Sequence, residues 1–233
     1  GSGVGSQNEP AVPMRTWVVV CIYIMLLLGT MPDAMFPPVL NVLLLERYDV
    51  GVSSAFWFMS VNMAGVLAVL PFLPVLRRTM SPALLIATGA VLNGLCYWLM
   101  SLPLGVGWTL AVRAVEGAQD MVVLAGILAL IARSGGSEQR GFRFGLAGTV
   151  MLLGLAAGII SGGIFGEQFP SGVFVVGAIE CALLAVMAIG VRSALPSKGV
   201  SVGQADERAI LRRRYPVWPA MMMLFADRGI AGA

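Results

Sequence analysis

The sequence predicts an all-α, polytopic membrane helix bundle, with six transmembrane helices and the start of a seventh. Three observations carry that expectation. The chain has 233 residues, 58% apolar and only 12% charged, about half the charge fraction of a soluble domain. Its apolar residues gather into uninterrupted stretches of about 20, the length that crosses a hydrocarbon core. Its basic residues crowd the flanks on one side of those stretches and nearly avoid the other, as the cytoplasmic bias of Lys and Arg requires.

Helices are expected at about 16–45, 53–76, 82–102, 108–132, 142–166 and 172–192, with a seventh beginning near 217. The first is long and carries Pro32 and the Pro37–Pro38 pair. Each proline removes a backbone donor, so this helix should bend or break there. Pro71 and Pro74 near the end of the second predict the same. Asn62 in the second and Asn93 in the third read as interhelical hydrogen-bonding groups in preference to ligand contacts. The fifth, "GLAGTVMLLGLAAGIISGGIFG", repeats glycine every fourth residue at Gly154, Gly158, Gly162 and Gly166, and Gly141, Gly145 and Thr149 continue the row upstream. Such a row makes a flat face for close helix packing. A direct substrate role is the second reading of it. Cys21, Cys96 and Cys181 fall in apolar stretches and read as small buried hydrophobes. The methionines, Met221–Met223 included, read as flexible packing or lipid-facing residues.

The flanks orient the bundle. Arg15, Arg77, Arg78, Arg133, Arg140, Arg143, Arg192, Lys198, Arg208, Arg212, Arg213 and Arg214 share one side, whereas the opposite loops hold only Arg47. The N-terminus and the 193–214 loop are therefore expected in the cytoplasm, and the protein in a bacterial inner membrane. Residues 1–14 read as a disordered tail or cloning remnant, 15–192 as the six-helix bundle and 193–214 as a basic cytoplasmic loop. The chain begins without Met and stops inside an apolar stretch at 215–233, so the native protein is expected to be longer.

Within the fourth span, "RAVEGAQD" places Arg113, Glu116 and Asp120 in lipid depth. At about 100° per residue these three fall within about 60° on one face. One cation cannot neutralise two carboxylates in a medium of low dielectric, so the trio is expected to hold a proton. Asp33, beside the prolines of the first span, can add a third carboxylate from a facing helix. A structural Arg113–Glu116 ion pair serving assembly is the competing reading. Glu180 in the sixth span is a secondary candidate, which could also pair with a neighbour or stay protonated. With no His, no nucleotide-binding glycine loop and no nucleophile–base arrangement, the residues point away from an enzyme, a metal site, an organic cofactor or nucleic acid.

These pieces together resemble the N-terminal six-helix half of the major facilitator superfamily, over about residues 15–214. "LLLGTMPDAMFPPVLNVLLLERYDVGVSSAFWFMSVN" looks like the family's first helix, with its mid-membrane Asp and following Pro, and the short outer loop. "RAVEGAQ" is similar to the helix-4 motif R-x-x-q-G of proton-coupled drug antiporters, matching at Arg113 and Gly117 with Glu116 in place of Gln. In that family the arginine is linked to proton transfer. "SEQRGFRFG" resembles the basic loop entering helix 5. "GIISGG" resembles the end of G-P-x-x-G-G, with Ile159 at the proline position. The family's G-x-L-x-D-R-x-G-R-R loop is matched only by Arg77 and Arg78: Leu73 replaces its Asp and Leu76 its Gly, so that Asp's charge-relay role does not carry over. Residues 193–214 look like the link between two bundles, and "MMMLFADRG" near Asp227 echoes "MLLLGTMPD" near Asp33, as a parallel repeat predicts.

The resemblance implies a secondary active transporter with two bundles rocking around a midplane site, exporting a small amphipathic molecule by exchange with protons. Arg113 would hold the carboxylates, and Glu116, Asp120 or Asp33 would carry the proton. The expected partners are the lipid bilayer, substrate and protons, and the remaining C-terminal helices or a partner subunit. A non-transporting membrane scaffold or assembly subunit that reuses the fold is the alternative.

Overall fold

The computed structural model describes residues 14–50, 53–135 and 139–194. The helices are α1 (Thr16–Ala34), α2 (Phe36–Tyr48), α3 (Ser53–Val69), α4 (Leu73–Thr79), α5 (Pro82–Ser101), α6 (Val106–Arg133), α7 (Arg140–Gln168) and α8 (Gly172–Arg192). Among the described residues they supply six segments long and apolar enough to cross a membrane. The polytopic helix bundle expected from composition is the fold observed. The expectations for residues 1–13, for the basic loop beyond Ala194 and for the helix near 217 with Asp227 lie outside the described residues.

The prolines set the local departures from straight helices. The first span is two helices meeting at Met35, and the second of them runs on to Tyr48. Pro37 and Pro38 occupy the first turn of α2, where an N–H has no helical acceptor to lose, and Met35 N donates to Pro32 O at 3.2 Å across the break. The second span is likewise divided, with a 3-10 turn at Leu70–Phe72 separating α3 from α4 at Pro71 and Pro74. By contrast, α5 starts cleanly. Ser81 Oγ accepts a hydrogen bond from Leu84 N at 3.3 Å, with Pro82 at the first helical position, a strong N-terminal signal. Gly105, at φ +85°, turns the chain into α6, a conformation that costs a residue with a Cβ more than it costs glycine.

The longest contacts run between α5 and α8, α5 and α6, α3 and α6, and α1 and α7. Two apolar clusters result. One gathers Val18, Ile22, Leu26, Ile86, Val123 and Leu184; the other gathers Phe36, Leu40, Phe58, Tyr97, Val112 and Phe174. Along α1, α5 and α6 the polar residues Asp33, Asn93, Arg113, Glu116 and Asp120 fall in the sequence interval between the two clusters. The aromatic residues Trp57, Trp98 and Trp108 are exposed near span ends, where amphipathic rings suit the headgroup region.

Glycines decide two of the helix contacts. On α7, a Cβ added at Gly154 would meet Thr30 and Leu27, at Gly158 Met31 and Ala34, at Gly162 Met35, and at Gly166 Val39. The row therefore lies against α1 and the first turn of α2. Its upstream extension does not: Gly141 and Gly145 have no atom within 4 Å of such a Cβ, and Thr149 is exposed. The step from Thr149 to Gly154 is five residues, so the upstream row turns to another face of α7, while Ala147 still packs with Val18 and Ile22 of α1 and the Arg143 carbonyl accepts from Tyr23 Oη at 3.2 Å. At the second contact, a Cβ on Gly65 would strike the Ala114 carbonyl and one on Gly117 the Asn62 carbonyl. The backbones of α3 and α6 thus cross in near contact beside the charged segment.

Candidate functional site

The α3–α6 crossing brings the polar residues of four helices together. Arg113 on α6 and Glu116 one turn later are both 0% exposed. Arg113 Nη2 donates to Asp33 Oδ1, at the end of α1, at 2.7 Å, and Arg113 Nη1 donates to Glu116 Oε2. The i,i+3 spacing makes the second pair local. The first spans eighty residues of sequence and depends on α1 packing beside α6. Asp33 is the more accessible carboxylate, with 36% of its side chain exposed.

Two amides complete the polar set. Asn62 Nδ2 on α3 donates to Glu116 Oε2 at 2.8 Å, and Asn93 Nδ2 on α5 donates to Asp120 Oδ1 at 2.6 Å. Both asparagines thus bridge helices, as their apolar surroundings suggested, and both do so onto carboxylates of the trio. Asn62 reaches Glu116 because Gly117 lets its backbone lie directly against α6. The partners could not be named from sequence, because helix rotation decides them.

An aromatic wall closes the guanidinium side. The Arg113 Cζ lies 4.6 Å from the Phe36 ring centroid and 5.0 Å from that of Phe58, within cation–π range. Phe36 also packs against Phe58, Tyr97 and Phe174, with centroids 5.2, 5.8 and 5.5 Å away. Neither Phe36 nor Phe58 was singled out in the sequence. The available signal was position: Phe36 follows Asp33 by three residues, across the proline-rich break.

Carboxylate oxygens of Asp33, Glu116 and Asp120 all lie within 4.8 Å of one another. One guanidinium stands beside three acids, and among the described residues its ion pairs are with Asp33 and Glu116. Three carboxylates so close are also the kind of donor set that takes a divalent ion, but here the position between Asp33 and Glu116 belongs to Arg113. Glu180 lies apart on α8. It is 8% exposed, and its Oε2 has no hydrogen-bond partner among the described residues.

A family model described as Major Facilitator Superfamily matches residues 22–229. A comparison with curated proteins finds no match.

Proposed function

Since the chain belongs to the major facilitator superfamily, a family of membrane transporters, we propose that it is a proton-coupled antiporter exporting a small amphipathic molecule by alternating access. The observation that carries this reading is the single buried Arg113 shared by three crowded carboxylates. A structural ion pair needs one acid, whereas a third acid without its own cation supplies a place for an exchangeable proton. That asymmetry favours transport over a scaffold reading.

The hydrogen bonds support a division of labour. Glu116 Oε2 accepts from both Arg113 and Asn62, charge-assisted contacts that suit it to the role of standing counter-ion. Asp120 has the Asn93 amide on Oδ1 and, among the described residues, no ion pair. Asp33 is far more exposed than Glu116, with 36% of its side chain accessible against 0%. The transported proton therefore belongs to the Asp33–Asp120 side of the cluster. Proton and substrate would drive transport through their different affinities for the inward- and outward-facing states.

The test is transport by the full-length protein in proteoliposomes, with an imposed pH gradient and a panel of fluorescent amphipathic dyes. Gradient-driven dye movement should be lost in Arg113→Ala while the variant still assembles. Transport by Arg113→Ala with unchanged pH dependence would overturn the mechanism. Loss of assembly without a selective coupling defect would return the site to a structural ion pair.

A further inference from the structure

We propose that Phe36 and Phe58 are positioning residues for proton coupling: their ring faces hold the Arg113 guanidinium in place while its carboxylate partners change charge. The proposal rests on the proton-coupled reading of the site. An arginine held only by carboxylates would be released when one of them takes a proton. It would then follow the remaining negative charge. Here two rings from different helices, Phe36 on α2 and Phe58 on α3, stand 4.6 and 5.0 Å from the guanidinium carbon. Their attraction to a cation comes from the ring quadrupole and does not depend on the state of any acid.

The rings are themselves fixed. Phe36 and Phe58 are 0% and 1% exposed, and Phe36 stacks on Tyr97 with the planes 5° apart. No substrate can reach these faces without unpacking the bundle, so their service is to Arg113. With the cation anchored, the group free to respond to protonation is Asp33, at the end of α1 and next to the break at Met35. The break then separates a proton-sensing residue from an aromatic anchor three positions further on.

The ionisable groups that bear on this arrangement come from several elements. Asp33 faces it from α1, and Glu116 and Asp120 from α6 itself. Tyr97 and Cys96 lie on α5, with Cys181 and Glu180 on α8. The helix α3 carries no ionisable residue. Changing the Phe58 ring alone therefore alters the hold on Arg113 without adding or removing a titrating group.

The experiment replaces Phe58 with 4-fluoro-, 3,5-difluoro- and 3,4,5-trifluorophenylalanine in the full-length protein, keeping the shape nearly constant while draining the ring face of negative potential. Infrared titration in lipid nanodiscs follows the protonated-carboxyl C=O band, assigned by its loss in Asp33→Asn. As the hold on Arg113 weakens, the band should persist to progressively higher pH, by roughly half a unit or more for three fluorines. A wild-type band that titrates, with a midpoint unchanged across the series, would reject the clamp and leave the proton site standing. No titrating band in the wild type would remove the proton-coupled reading and the clamp with it.

Discussion

Alanine at Gly158 should loosen the bundle, whereas alanine at Gly163, five residues further along the same helix, should not. At Gly158 the new Cβ would stand 2.6 Å from the Ala34 Cβ and closer still to the Met31 carbonyl. Carbon atoms rest about 3.5–4.0 Å apart, so α7 must retreat from α1 by roughly 1 Å. Overpacking of this kind costs about 1–3 kcal/mol, offset by the roughly 1 kcal/mol gained when alanine replaces glycine inside a helix. At Gly163 nothing lies within 4 Å, so only the helix gain remains. Gly158→Ala should thus fall below Gly163→Ala by about 1–3 kcal/mol in reversible unfolding from mixed micelles, followed by tryptophan fluorescence. The displaced residues Met31 and Ala34 flank Asp33, so Gly158→Ala should also weaken the Asp33–Arg113 contact and reduce coupled transport. Stabilities of the two variants within about 0.5 kcal/mol of one another would refute the close-contact face, since distant surface changes differ by no more than that.

Further outcomes follow from the charged cluster and the flanks. Arg113→Lys keeps the charge but cannot reach Asp33 and Glu116 with a planar fork, so gradient-driven dye transport should fall by about tenfold and keep its pH dependence. Glu116→Gln leaves an oxygen for Asn62 and removes one negative charge. It should be tolerated better in the same assay than Asp120→Asn or Asp33→Asn, and the reverse order would place the proton on Glu116. With the native cysteines replaced, single cysteines at the exposed positions Thr79 and Ser171 should react with an impermeant maleimide from opposite sides of the membrane. Labelling of both from one side would overturn the topology read from the basic flanks.

The spans were legible because their signal is local. Apolar length, Pro37–Pro38 and the Pro71 and Pro74 pair act within one or two helical turns, and the helices follow them closely. The face shared by Arg113, Glu116 and Asp120 was legible for the same reason. What joins that face to other helices was not. Asn62 and Asn93 could be read only as polar groups in need of partners, since the pairs with Glu116 and Asp120 lie 54 and 27 residues apart. Asp33 was anticipated from a facing helix, but its direct hold on Arg113 depends on how α1 packs. The glycine spacing on α7 was correct as a pattern and silent about its extent: the five-residue step from Thr149 to Gly154 turns Gly141 and Gly145 onto a face of α7 that α1 does not cover. The aromatic wall left only the position of Phe36, three residues past Asp33, because by type Phe36 and Phe58 look like any other apolar residue in a membrane helix.

The eighty residues between Asp33 and Arg113 also set an order of events during synthesis. Asp33 leaves the ribosome with the first span, and Arg113 follows only with the fourth. A carboxylate at mid-depth of a bilayer costs several kcal/mol when it stands alone. During that interval the nascent first span either carries Asp33 neutral or stays sheltered at the insertion machinery until its cation arrives. Chains halted before Arg113 should accordingly be extracted from the membrane and degraded more readily than chains halted just beyond it. The same bond that joins α1 to α6 in the finished protein makes its early helices dependent on a residue not yet translated.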